Sequence, residues 1–174
     1  MNHKPIIPII VVISLIVIII VFTNTNDNEA IVNNDNKSIA QGILKRMRYE
    51  DTYDVSEFEF KKNVVLNGVT IILFKLPDRY WLVEMFQKGN NKLLIGGISS
   101  INNDISYRKI DSKNTSYLIV YGKKREHFSK IEAMHNEKKY IFDVEDKSGE
   151  VYFDYIDIGM SNVEVNRGDY KIIE

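Results

Sequence analysis

The sequence contains no cysteine, which excludes a disulfide framework, a thiolate nucleophile and a cysteine-rich zinc site. The same absence excludes lipid attachment through an N-terminal cysteine. Proline is scarce, at 3 residues, and Trp81 is the sole tryptophan. Neither charge sign dominates, since 23 Lys and Arg stand against 24 Asp and Glu. Only Lys4 is charged before residue 23, so the remainder carries a net charge of −2. A chain so near neutrality lacks the basic footprint that grips nucleic-acid phosphates, and no nucleic-acid partner is expected. Reaction motifs are missing too. No G-x-S-x-G elbow occurs, and Gly96-Gly97-Ile98-Ser99 is followed by no Gly-Lys-Ser/Thr, so it is not a phosphate loop. Asp143 to Glu150 lacks the spacing of a calcium loop.

What is present begins with one long apolar run, Ile6 to Phe22, interrupted only by Pro8 and Ser14. As a helix it would span roughly 26 Å at ~1.5 Å per residue, the short end of what crosses a bilayer core of ~30 Å. Pro8 falls in the first turn, where its missing N–H costs nothing. Lys4 precedes the run, whereas TNTNDNEAIVNNDN after it holds acids and no base before Lys37. The positive-inside rule then places residues 1–5 in the cytoplasm as a short stub, 6–22 as a single-pass transmembrane helix, and the rest outside. The alternative is a cleaved signal peptide with secretion. It is disfavoured because the run is long and the best cleavage match, Thr23-x-Thr25, is poor. The lipid bilayer is thus an expected partner.

Residues 23–37 read as a flexible Asn-rich linker, and 38–174 as one extracytoplasmic β-rich domain. The bulk composition, 44% hydrophobic and 27% charged, suits a folded domain rather than a disordered one. Ser38 to Tyr49 has helical spacing, with Ile39, Ala40, Ile43, Leu44 and Met47 on one stripe and Lys45, Arg46 and Arg48 off it. A short basic amphipathic helix near a membrane could rest on anionic lipid. The favoured reading packs its stripe on the domain instead. Gly42 weakens the helix either way. The sequons at Asn36 and Asn114 are taken as chance matches.

From Val55 the apolar pattern changes to period 2 and to short runs between turn signals. Asn67-Gly68 between Val64–Leu66 and Val69–Leu76 predicts a type I′ hairpin. VTIILFKL is apolar on both alternating sets, as a strand covered on both faces should be. Further strands are expected over Tyr80–Gln87, Leu93–Ile95, Ser116–Tyr121, Lys130–His135, Tyr140–Glu145, Glu150–Ile158, Val163–Val165 and Tyr170–Ile173. Residues 98–111 read as a loop or weak strand. The whole predicts a mainly β fold, an antiparallel sandwich or barrel-like domain of about eight strands. No βαβ pattern appears, so a parallel sheet is not expected.

Each candidate for chemistry has a blander reading that outweighs it. His3 falls in the stub. His127 and His135, with Glu126, Glu132 and Glu137, fit no compact metal spacing and read as exposed loop or turn histidines. Asp143, Glu145, Asp146, Glu150, Asp154 and Asp157 could supply a hydrolase pair, with Asp154 and Asp157 the first choice, but read as solvated strand faces and turns. Arg167-Gly168-Asp169 reads as a turn. Tyr80 and Trp81, with Tyr107, Tyr117 and Tyr152, could form an aromatic platform for a wall glycan, although aromatics on strands are more often core. No catalytic, cofactor or metal residue is therefore assigned.

The order of the anchor, Gly68–Phe74, Leu93–Gly97, Leu118–Gly122 and Gly149–Phe153 resembles small membrane-anchored or exported β-rich proteins of low-GC Gram-positive bacteria. The likeness covers roughly residues 60–158. It implies a β fold at the cell envelope and carries over no site residues; the Trp-rich turn it would place before Gly96-Gly97 is absent. The functional expectation is a membrane-anchored extracytoplasmic binding or interaction module without catalysis, meeting another envelope protein or a cell-wall glycan. Alternatives are an accessory subunit of a membrane complex or a carboxylate-dependent envelope hydrolase.

Overall fold

A computed structural model describes residues 30–124, 129–144, 150–160 and 170–173. The run Ile6–Phe22 lies outside these residues, as do Glu126, His127, Glu145, Asp146, Val163–Val165 and Arg167-Gly168-Asp169. Among the described residues no helix is long and apolar enough to cross a membrane.

The domain is mainly β, with every strand pairing antiparallel. The described elements run β1 (Ile31–Asn33), α1 (Asn36–Met47), a 3-10 turn (Val55–Glu57), β2 (Glu59–Leu66), β3 (Val69–Leu76), β4 (Arg79–Gln87), β5 (Lys92–Ser100), β6 (Ser106–Asp111), β7 (Ser116–Lys123), β8 (Lys130–His135), β9 (Lys138–Asp143), β10 (Val151–Gly159) and β11 (Tyr170–Ile173). They form a five-stranded sheet, β1-β5-β4-β3-β2, and two three-stranded sheets, β10-β7-β6 and β11-β8-β9.

Three apolar interfaces stack these parts. The stripe of α1 buries Ile39, Ala40, Ile43 and Leu44 against Ile72, Phe74, Val83, Met85 and Ile95 on one face of the large sheet. The other face packs Val69, Ile71, Leu73 and Leu82 on Ile110, Ile119, Tyr121 and Phe153 of the second sheet. The far side of that sheet, Leu118, Val120 and Tyr152, is covered by Ile131, Ala133 and Phe142 of the third. The order is helix, sheet, sheet, sheet. β3 is therefore buried on both faces, as its unbroken apolar run requires. Each fully buried Ile, Leu or Phe in these interfaces contributes roughly 1.5–3 kcal/mol.

Local rules explain the joints. Asn67 and Gly68 take positive φ, 49° and 88°, the type I′ hairpin predicted between β2 and β3. Asn136 and Glu137 likewise join β8 to β9 at 50° and 62°. The N-cap of α1 is Asp35, whose carboxylate accepts from the Ser38 N–H at 2.9 Å. Arg48 ends the helix in the left-handed region at φ 59°.

The structure corrects three sequence expectations and decides a fourth between its two alternatives. The segment expected as linker to residue 37 is ordered from Ile31, because β1 pairs with β5 and α1 already starts at Asn36. Val55–Glu57 is not strand but a 3-10 turn, since Asp54 and Glu57 form a reciprocal capping box that satisfies its free N–H groups. Of residues 98–111, read as a loop or weak strand, 98–100 continue β5 and Ser106–Asp111 pair along β7 as β6, while 101–105 connect them outside any strand. His135 is not exposed but 4% accessible, on the inward side of β8 with Ile131 and Ala133.

Candidate functional site

The aromatic platform expected from Tyr80, Trp81, Tyr107, Tyr117 and Tyr152 does not assemble, because strand alternation deals these rings to different interfaces. Tyr80 and Tyr117 join the inter-sheet core. Tyr107 and Tyr152 lie under the third sheet. Trp81 alone faces α1. There it meets a different ring, Tyr49, which follows α1 and stands edge-on to it at 6.1 Å. Phe74 stacks beside Trp81 at 6.4 Å, and the Arg79 guanidinium lies over the indole at 5.7 Å.

Trp81 and Tyr49 line an open cleft of about 390 Å³ with Arg46, Met47, Gly96 and Ile98. That volume falls within the ordinary range of small-ligand sites. The Trp81 indole N–H is buried without an acceptor. A buried unpaired donor costs roughly 1–3 kcal/mol, so an incoming oxygen that accepted from it would recover that cost. Arg46 supplies positive charge at the same cleft. With Phe74 and Arg79 against the indole and its Nε1 buried, a ligand in the cleft reaches the N–H only if the lining moves aside. The chemistry available is recognition of an oxygen-bearing, partly apolar group.

The other side of α1 borders a groove of about 510 Å³, where Lys45, Lys88 and Lys92 stand with Ser38, Gln41 and Ile31. Gly42 permits this arrangement. A Cβ there would come within 2.2 Å of Val32 Cγ1, so only glycine lets α1 sit this close to β1.

A third feature lies between the large sheet and the second sheet. Glu84 of β4 and Arg108 of β6 form an ion pair, with 12% and 28% of their side-chain surfaces accessible. Burial pushes the Glu84 carboxyl above its ordinary value, and Arg108 acts in the opposite direction. The guanidinium also lies 5.7 Å from the Tyr121 ring. Oε1 and Nη2 meet as an ion pair, and the Arg108 Nε–H has no acceptor. Opposite Glu84 the ladder bulges. Val83 pairs with Ile98 and Met85 with Ile95, so Gly96 and Gly97 together face Glu84. The one signal of this pair in the sequence is a single acid inside the apolar YWLVEMFQ. Its partner was not legible, because Arg108 belongs to another sheet.

The carboxylates singled out earlier do not converge. Asp154 is paired with Val120 and Asp157 with Tyr117, which places them on opposite faces of the second sheet. Asp157 instead accepts from the Thr115 hydroxyl at 2.5 Å and from the Gly159 N–H at 2.8 Å. Asp143 and Glu150 are exposed. Glu132 pairs with Lys139 at 2.5 Å. Among the described residues no group of three His, Asp or Glu side chains could hold a metal ion.

No protein family, no curated protein and no solved structure matches the chain.

Proposed function

We propose that this protein is a membrane-anchored extracytoplasmic binding module. In this reading residues 6–22 form the anchor, and the cleft beside Trp81 takes an oxygen-bearing group of an envelope polymer, such as a cell-wall glycan fragment. The observation that carries the reading is the cleft itself, lined by Arg46, Tyr49 and Trp81, the last with a buried indole N–H that lacks an acceptor. The test is calorimetric titration of the full chain in nanodiscs with soluble cell-wall fragments. Trp81→Phe keeps a ring and removes the N–H, and is expected to weaken binding about tenfold, the worth of one hydrogen bond. Unchanged affinity in Trp81→Phe, or no binding by the wild type, refutes the reading.

A second reading, an accessory subunit of a membrane complex, has its own support. Met134 and Ile141 are 40% and 51% exposed on the outward side of the third sheet, where a partner could cover them. Replacing residues 6–22 by an unrelated spanning helix separates two versions of it. A partner retained by the exchanged chain contacts the domain, and a partner lost with the exchange contacts the anchor.

A further inference from the structure

The stripe of α1 is fully used against the large sheet, so this helix has no apolar face left to insert into lipid. Its outer side is different. Lys37, Lys45, Arg46 and Arg48 are exposed there. The tertiary structure adds Lys88 and Lys92 from the β4–β5 turn, which share a groove with Lys45. This concentration of cations occurs on a domain (residues 38–174) in which 21 Lys and Arg balance 21 Asp and Glu, so it is a local feature rather than a general basicity. Ser38 and Gln41 add neutral hydrogen-bonding groups, and Ile31, 48% exposed, sits on the rim.

The chain's path puts this surface close to the bilayer. β1 forms part of the groove and is the first described element after the apolar run. Nine peptide steps separate Phe22 from Ile31, roughly 30 Å at full extension of ~3.3–3.6 Å per residue. The groove is thus held within about one bilayer thickness of the end of the run, whatever path residues 23–30 take.

We infer that the groove between α1, β1 and the β4–β5 turn is a docking surface for anionic phospholipid headgroups of the membrane that holds the anchor. This rests on the anchored reading proposed above. Lysines bind headgroup phosphates as mobile point charges, and Ile31 suits the boundary between headgroups and acyl chains. The consequence is orientation. The domain lies with α1 toward the bilayer and its third sheet away from it.

The test is lysine labelling of the full chain in nanodiscs with and without phosphatidylglycerol, read by mass spectrometry. A basic side chain near an anionic leaflet gains about fivefold in occupancy. Labelling of Lys45, Lys88 and Lys92 is therefore expected to fall about fivefold in phosphatidylglycerol discs relative to phosphatidylcholine discs. Lys130 and Lys138 of the third sheet should be unchanged. The protection should disappear at high salt, where the screening length drops to about 3 Å. Equal labelling in both lipids, with the chain retained in the disc, overturns the docking surface alone. Protection by a soluble anionic polymer but not by phosphatidylglycerol overturns it in favour of a polymer site. A chain that does not insert into discs overturns the anchored reading and this surface with it.

Discussion

Glu84 and Arg108 offer the sharpest test of how the two large layers are held together. Glu84→Leu leaves the Arg108 guanidinium between the sheets with no counter-charge, its Nε–H already lacking an acceptor. Breaking a buried pair by removing one partner costs about 3–5 kcal/mol. Arg108 keeps 28% of its side-chain surface in solvent, so we expect the low end, about 3 kcal/mol. At ~2–4 °C per kcal/mol for a domain of this size, the midpoint should fall by about 10 °C. Arg108→Met should behave differently, because the abandoned carboxyl can take up a proton. Burial alone then acts on Glu84, and its folded pKa rises further above the ordinary 4.5. The folded state then holds a proton that the unfolded state releases. The variant is therefore least destabilised below about pH 4.5 and loses stability as pH rises toward the folded pKa. The double variant Glu84→Leu/Arg108→Met replaces the pair by apolar volume and should return to within about 1 kcal/mol of wild type. It forfeits only the Tyr121 contact, worth about 0.5–1 kcal/mol. Urea unfolding followed by the single tryptophan, Trp81, measures all three. If the double variant is as unstable as the sum of the singles, the two residues are not coupled and the reasoning fails.

Other outcomes follow from the packing. Gly42→Ala should push β1 off α1 because of the 2.2 Å approach to Val32, and cost about 1–3 kcal/mol as an overpacked contact. Hydrogen exchange at the Ile95 N–H, which donates to the Ala30 carbonyl, should accelerate, and unchanged protection would show that β1 adjusts without loss. Gly122→Ala should be worse still, since its Cβ would meet the Asp104 carbonyl oxygen at 2.0 Å and the Tyr152 hydroxyl at 2.8 Å. Backbone cannot yield as a side-chain tip can, so a thermal midpoint equal to wild type would contradict the placement of β7 against residue 104. Asp35→Ala should lower stability near neutral pH and do so less in acid. Its carboxylate is held below its ordinary pKa of 3.8 first by the Ser38 N–H, so its contribution is present above that value and fades as pH falls through the folded pKa. A variant with the same deficit at every pH would exclude that bond as the cause.

The β character of this chain, its hairpin turns and the buried stripe of α1 were all local patterns. Alternation in a strand and the i, i+4 stripe in a helix need only neighbours in sequence, and Asn67-Gly68 needs only its own permitted φ angles. The same locality explains the misreadings. Val55–Glu57 looked like strand by alternation, but a capping box satisfied its backbone instead. Ile31–Asn33 was hidden in a polar, Asn-rich stretch, and only the open edge of β5 makes it a strand. The candidate site was less legible than the fold. Trp81 was picked out as an aromatic, but with Tyr80 as its companion, since adjacency in sequence suggests a platform that alternation forbids. Tyr49 reaches it only because α1 lies on the large sheet. The lysine groove and the Glu84–Arg108 pair have the same origin, each joining residues that separate elements carry. By itself the sequence determined the mainly β character, the Asn67-Gly68 hairpin, most of the central strands and which face of α1 is apolar. Only the tertiary structure decided which faces meet. That choice depends on the stacking order of three sheets and a helix, and on Gly42, which lets α1 approach β1.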